Sequence, residues 1–189
     1  AFPVFAFMIA EGFIHTRSRY RYFFTLLGFA VISEIPWYLL NGADGTHNVI
    51  FTLALGVATL MVLENLLQRS MVLGFLWTLG MAGLASWLGV DYEWRGIIVI
   101  VIFYLFNVYG HSFPYSRGMQ FFSTFALMIH YGVIGAVMAC MILYLYNGKR
   151  GFVQGSIAKY GFYAFYPAHF ILFIQICERS FPCILMFKL

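Results

Sequence analysis

Long apolar runs, separated by short polar or glycine-rich breaks, fill almost the whole of this chain; they cover 1–15, 22–40, 49–67, 71–90, 96–109, 119–146 and 160–177. They lack the alternation of a barrel strand. Hydrocarbon offers backbone N–H and C=O groups no outside partner, so such runs are expected to be helices. About 20 residues cross a hydrocarbon core, which makes the fifth run short and the sixth long. The sixth carries Gly132 and Gly135 near its middle, so it is expected either to tilt or to begin as an interfacial turn. Splitting it would change the topology of everything after it. The pattern predicts an all-α, polytopic integral membrane bundle of about seven transmembrane helices. A single transmembrane domain over 1–178 is followed by a short tail over 179–189. Small residues at Gly28/Ala30, Ala54/Gly56/Ala58, Gly80/Ala82/Gly83/Ala85 and Gly132/Gly135/Ala136 permit close helix contact.

Composition agrees with that reading. The 189 residues are 62% hydrophobic and 10% charged, against about 25% charged in an ordinary soluble domain. The net charge of +4 and the isoelectric point near 9.0 would suggest nucleic acid in a soluble protein. Here the cations sit at helix ends, which is membrane usage, and no nucleic-acid partner is expected. Cys140, Cys177 and Cys183 have no CxxC or Cys/His ligand spacing and read as packing residues. The chain opens inside an apolar run at Ala1, without an initiator Met or a basic n-region, and reads as truncated rather than as a signal peptide.

With each run crossing once, Arg17, Arg19, Arg21, Arg69, Arg117, Arg179 and Lys188 share one side, which is expected to be cytoplasmic. Arg95, Lys149, Arg150 and Lys159 fall on the other. The Lys149–Arg150 pair then runs against the rule, so either the topology differs there or those cations have a task.

Ionisable residues inside the runs cost at least about 2.5 to 3.5 kcal/mol each on insertion scales and are functional candidates. Glu11 and His15, four apart, share a helix face and suit a base with its orienting carboxylate; simple interfacial placement beside the arginines is the alternative. Glu34 lies between Ser33 and Pro36 well inside the second run, where proline frees backbone groups. It is the sharpest anomaly, with pairing to a cation of another helix as its structural explanation. His47, Asn48 and Thr52 open the third run, where N-terminal N–H groups favour an anion and Asn48 also suits a capping role. His169 follows Pro167 among aromatic residues and could carry a proton near neutral pH, whereas His130 lacks polar company. Asp91 and Glu93 read as solvated loop charges, with Lys149 or Arg150 as a possible partner for Asp91. No GxSxG, Walker A, GxGxxG or HExxH pattern occurs. The residues alone fit a membrane enzyme that moves protons on a polar substrate, a proton-coupled small-molecule transporter, or a non-catalytic scaffold.

Five blocks carry a resemblance: AFPVFAFMIAEGFIHT from Ala1, FAVISEIPWYLL from Phe29, HNVIFTLALG from His47, YNGKRG from Tyr146 and YAFYPAHF from Tyr163. Together they are similar to the TraX family of bacterial membrane acyltransferases, whose named member acetylates the N-terminus of conjugative pilin. The resemblance implies transfer of an acyl group, with acetyl-CoA as donor, to an amine or hydroxyl of a pilin-like or other cell-surface acceptor. It places the protein in the bacterial plasma (inner) membrane and requires no metal. It also implies one more N-terminal helix with an Asp-His pair, after which this chain begins. The matching positions are Glu11, His15, Ser33, Glu34, Asn48, Thr52, Lys149, Arg150, Tyr166 and His169. In the expected mechanism His169 or His15 is the base, and Glu34 and Glu11 orient it or bind an ammonium group. Asn48 and Thr52 donate to the oxyanion, Lys149 and Arg150 hold a phosphate or carboxylate, and Ser33 and Tyr166 line the substrate.

Overall fold

A computed structural model of the chain describes residues 2–42, 44–110, 115–146 and 156–180, the last of these with side chains at 160, 161, 163–172, 174 and 175. Among the described residues the fold is all-helical. In chain order the helices are α1 (Phe2–His15), α2 (Arg19–Asn41), α3 (Val49–Arg69), α4 (Met71–Trp87), α5 (Glu93–Tyr109), α6 (Ser116–Met128), α7 (Val133–Tyr144) and α8 (Ser156–Ser180), with a 3-10 turn at Ile129–Tyr131. Local chemistry sets several boundaries. The Ser18 hydroxyl accepts from the Arg21 amide to start α2, and the Asn48 carbonyl oxygen accepts from the Ile50 amide to start α3. Gly42, at φ 77°, closes α2 with its N–H on the Tyr38 carbonyl.

The α3 helix is the axis of the bundle and packs against α1, α2, α4 and α5. Its buried Leu53, Ala54, Val57, Leu60 and Leu63 join Phe2, Phe13, Leu26, Ile100 and Phe103 in one core. The small residues matter here: a Cβ on Gly56 would stand 2.4 Å from the Ile100 Cδ1, so α3 and α5 approach closely because that position is glycine. The outer faces are apolar and exposed, with Phe24 and Ile35 on α2, Met71, Phe75 and Leu76 on α4, Phe122 on α6, and Ile134 and Met141 on α7. Water would penalise such surface and hydrocarbon covers it without cost. Among the described residues, two helices, α2 and α3, are long and apolar enough to cross a membrane.

Six of the predicted runs coincide with single helices, but the sixth does not. Run 119–146 is a helical hairpin, turning at Gly132, whose φ of 123° is a conformation that residues with a side chain rarely adopt. Phe121 of α6 faces Tyr144 of α7 at 6.2 Å between ring centroids, and the Cys140 thiol lies 3.8 Å from the Phe121 carbonyl oxygen. In one continuous helix those residues would be about 30 Å apart. The hairpin tip packs on the α4–α5 turn through Tyr131 and Tyr92, 4.6 Å apart. The expected topology after residue 119 is therefore corrected, because α7 returns the chain to the end from which α6 set out. Lys149 and Arg150 lie outside the described residues.

The two ends of the bundle can be named by their contents. The basic end gathers the end of α1, the start of α2, the end of α3 and the start of α6, with Arg17, Arg19, Arg21, Arg69 and Arg117. There Arg19 pairs with Glu64 of α3 and lies 4.8 Å above the Phe13 ring. The opposite end gathers the end of α2, the start of α3, the α4–α5 turn and the hairpin tip.

Candidate functional site

The buried polar positions form two groups, one toward each end. Toward the basic end, the Asn107 amide donates to Glu11 Oε1 at 2.8 Å and the Gln120 amide donates to Asn107 at 3.2 Å, linking α1, α5 and α6. His15 sits one turn from Glu11 as expected, 3.6 Å from its Oε2, but its Nδ1 also bonds the Glu11 backbone carbonyl at 2.9 Å and the ring is largely exposed. Glu11 is thus the acceptor at the end of a chain of side-chain amides that ties three helices together.

The second group forms where α3 begins against the middle of α2. Glu34 Oε1 accepts from His47 Nδ1 at 2.5 Å, and its Oε2 accepts from the Asn48 side-chain amide at 2.6 Å and from the Asn48 backbone N–H at 3.3 Å. The anion expected at the start of α3 is therefore Glu34 itself, held by the backbone and side chain of the capping residue. Asn48 is fully buried and its second amide hydrogen goes to the Ala30 carbonyl at 2.8 Å, so both hydrogens of that amide are committed. Pairing with a cation of another helix, the structural explanation for Glu34, is not what the described residues show; its partner is an imidazole. With Nδ1 donating to the carboxylate, His47 presents Nε2 as an acceptor. The His47 side chain is 46% exposed and that of Glu34 30%, which leaves the pair reachable by a substrate.

His47 is held by its backbone as well. Its N–H donates to the Gly89 carbonyl at 2.9 Å and its carbonyl accepts from the Asp91 N–H at 3.0 Å, so the loop before α3 is bridged to the α4–α5 turn. Thr52 donates its hydroxyl to the Asp91 carbonyl, which turns it away from any oxyanion role and makes it a tie between α3 and that turn. Tyr92 and Glu93 both have positive φ, 64° and 45°. Non-glycine residues in that region cost on the order of 1 to 3 kcal/mol each and persist only where their surroundings hold them. Here Phe2 stacks on Tyr92 at 4.0 Å and the Glu93 amide bonds the Val90 carbonyl. Asp91, expected to be a solvated loop charge, is partly buried in this turn, and burial lifts its carboxyl to about 6.

From α8, the Tyr166 hydroxyl reaches the Val49 backbone amide at the first turn of α3, with Glu34, Asp91 and Tyr92 as its charged and polar neighbours. Tyr166 thus joins the Glu34 group. His169 sits one turn further along α8, exposed, with its Nδ1 on the Phe165 carbonyl at 3.2 Å and its ring 5.3 Å from that of Tyr166. It borders the group, whereas His15 lies at the other end of the bundle, so the two histidines cannot serve one site together. Ser33 is 1% exposed and its hydroxyl has no hydrogen-bond partner among the described residues. Lys149 and Arg150 fall outside the described residues. No group of three or more His, Cys, Asp or Glu able to hold a metal occurs among the described residues.

The sequence reading placed His47 in the polar group that opens α3 but not among the residues of the expected mechanism. Its block, HNVIFT, drew attention to Asn48 as a cap, and the signal that would have found it is an imidazole beside a helix start that an intramembrane acid can reach.

The TraX protein family matches residues 1–177 of the chain. The "Probable fimbrial assembly protein FimC, serogroup H1" of Dichelobacter nodosus is 29% identical over 200 aligned positions, which take in 90% of this chain and 77% of that protein. No solved structure matches. With the family match running through all eight helices but the last residues of α8, the chain belongs to the TraX family.

Proposed function

We propose that this protein is a multi-pass acyltransferase of the bacterial inner membrane. It transfers an acetyl group from acetyl-CoA to an amine or hydroxyl of a cell-surface or secreted acceptor. The observation that carries this reading is the Glu34–His47 pair at 2.5 Å, reachable from outside the bundle and fixed through Asn48 and the backbone bridge of His47. A carboxylate on Nδ1 holds the ring in the tautomer whose Nε2 can take a proton. As the acceptor nitrogen or oxygen attacks the thioester carbonyl carbon, its proton passes to His47 Nε2. The carbon–sulfur bond then breaks, and the thiolate leaves with that proton. Tyr166 is the nearby hydroxyl suited to donate to the oxyanion, since Asn48 and Thr52 spend their donors on protein and the Ser33 hydroxyl is 1% exposed. His169, at the border, is suited to contact the acceptor or donor rather than to replace His47.

The fimbrial assembly protein supports an acceptor of the pilin type, and a part in pilus or fimbrial assembly follows from the same relationship. In purified protein reconstituted into vesicles, thiol release from acetyl-CoA should depend on an added amine or hydroxyl acceptor. His47→Ala and Glu34→Gln should lower that release at least about 100-fold. Acceptor-dependent release at the wild-type rate after both substitutions would refute the assignment.

A further inference from the structure

We infer that the Glu34–His47 centre opens on the non-cytoplasmic face of the membrane, so that its acceptor is a molecule presented from outside. This rests on the multi-pass reading above and adds to it the side from which the acceptor arrives. The α6–α7 hairpin bears on this, because it sets the end at which α8 begins. With run 119–146 as one span, Lys159 fell on the side opposite Arg17, Arg19, Arg21, Arg69 and Arg117. With the hairpin, α7 runs back toward the basic end, its Tyr144 packing on Phe121 in the second turn of α6. The parallel run of α8 beside α2, marked by Phe29 against Tyr163 and Trp37 against Phe170, puts the first turn of α8, with Lys159, at that end too.

The distribution is now lopsided. Among the described residues, Arg17, Arg19, Arg21, Arg69 and Arg117, with Lys159 in the first turn of α8, belong to the basic end. Arg95, and Arg179 in the last turn of α8, belong to the other. Lys and Arg in short connections set the orientation, and all these connections are short, so the basic end is cytoplasmic. His47 stands at the other end, in the loop that closes α2, with its backbone bridged to Gly89 and Asp91. That loop is also where Trp37 donates to the Thr46 carbonyl. A substrate reaching His47 by the exposed side of this loop therefore comes from outside the cytoplasm.

The test is labelling with a membrane-impermeant maleimide in intact cells, on full-length protein from which Cys140, Cys177 and Cys183 have been removed. Thr46→Cys and Trp87→Cys report the site's end, and Asn65→Cys and Gln68→Cys report the basic end; all four positions are exposed. The expected result is labelling of Thr46→Cys and Trp87→Cys in intact cells, with Asn65→Cys and Gln68→Cys labelled only after the membrane is opened. The reverse pattern, or labelling of both ends from outside, overturns the inference. Because the readout needs no turnover, an inactive protein with the expected pattern would count against the acyltransferase reading alone.

Discussion

Replacing Asn48 with Ala removes three contacts at the point where α2 and α3 meet. The cap on the Ile50 amide at 3.0 Å is lost, and an N-cap is worth about 1 kcal/mol. The bond to the Ala30 carbonyl at 2.8 Å is a neutral hydrogen bond, of about 1 kcal/mol. The bond to Glu34 Oε2 at 2.6 Å has a charged acceptor, and such bonds contribute about 1.5 to 3 kcal/mol. The three share one side chain and do not add fully, so the expected loss is about 3 to 4 kcal/mol. For a chain of this length that lowers the melting temperature by about 10 °C. Thermal unfolding in detergent, followed by circular dichroism, measures it. Asn48→Ser, which can keep the cap but not the other two bonds, should fall between Asn48→Ala and wild type. A loss of only about 1 kcal/mol for Asn48→Ala, the value of an ordinary cap, would show that the ties to Ala30 and Glu34 contribute nothing.

Three further outcomes are expected. His47→Ala should lower acetyl transfer by about 10² to 10⁴, the range of a lost general base, while His169→Ala should cost less than about tenfold; equal losses in a side-by-side turnover assay would remove His47 from its proposed role. Asp91 is raised by burial from near 3.8 to about 6, so its contribution to stability is fully present below about pH 3.8 and is lost as pH rises through 6. Asp91→Asn should therefore match wild type near pH 4 and melt higher than wild type above pH 7; melting curves that stay parallel across that window would refute the burial. Gly96→Ala would bring a Cβ to 2.5 Å from Thr52 Cγ2 and 3.1 Å from the Phe2 ring. Overpacking of this kind costs about 1 to 3 kcal/mol, and unfolding of Gly96→Ala at wild-type temperature would contradict it.

Most helix limits were legible because polar breaks such as 16–18, 41–48 and 91–92 coincide with real turns. The hairpin was not. Its tip, Ile129-His130-Tyr131, carries no polar cluster to mark a turn, and Tyr131 packs on Tyr92 of another element. Hydropathy alone cannot tell such a tip from the middle of a span. Glu34 stood out because an acid inside an apolar run is costly wherever its partner lies. The partner did not, since the pairing of residues 34 and 47 follows from how far α3 sinks against α2, and Ala30 and Asn48 fix that depth. Asp91 was misjudged for the same reason: its burial comes from the α4–α5 turn packing under Phe2, Thr52 and the His47 backbone, none of which its own neighbours in sequence announce.

The central claim is that the His47 imidazole, held by Glu34, is the base for acyl transfer. The most direct measurement supplies isotopically labelled acetyl-CoA and a pilin-type acceptor to the reconstituted protein and follows the label onto the acceptor by mass spectrometry. The account predicts labelled acceptor with wild type and with His15→Ala, and labelling at least about 100-fold slower with His47→Ala or Glu34→Gln at matched amounts of folded protein. Label reaching the acceptor at the wild-type rate with His47→Ala would contradict it.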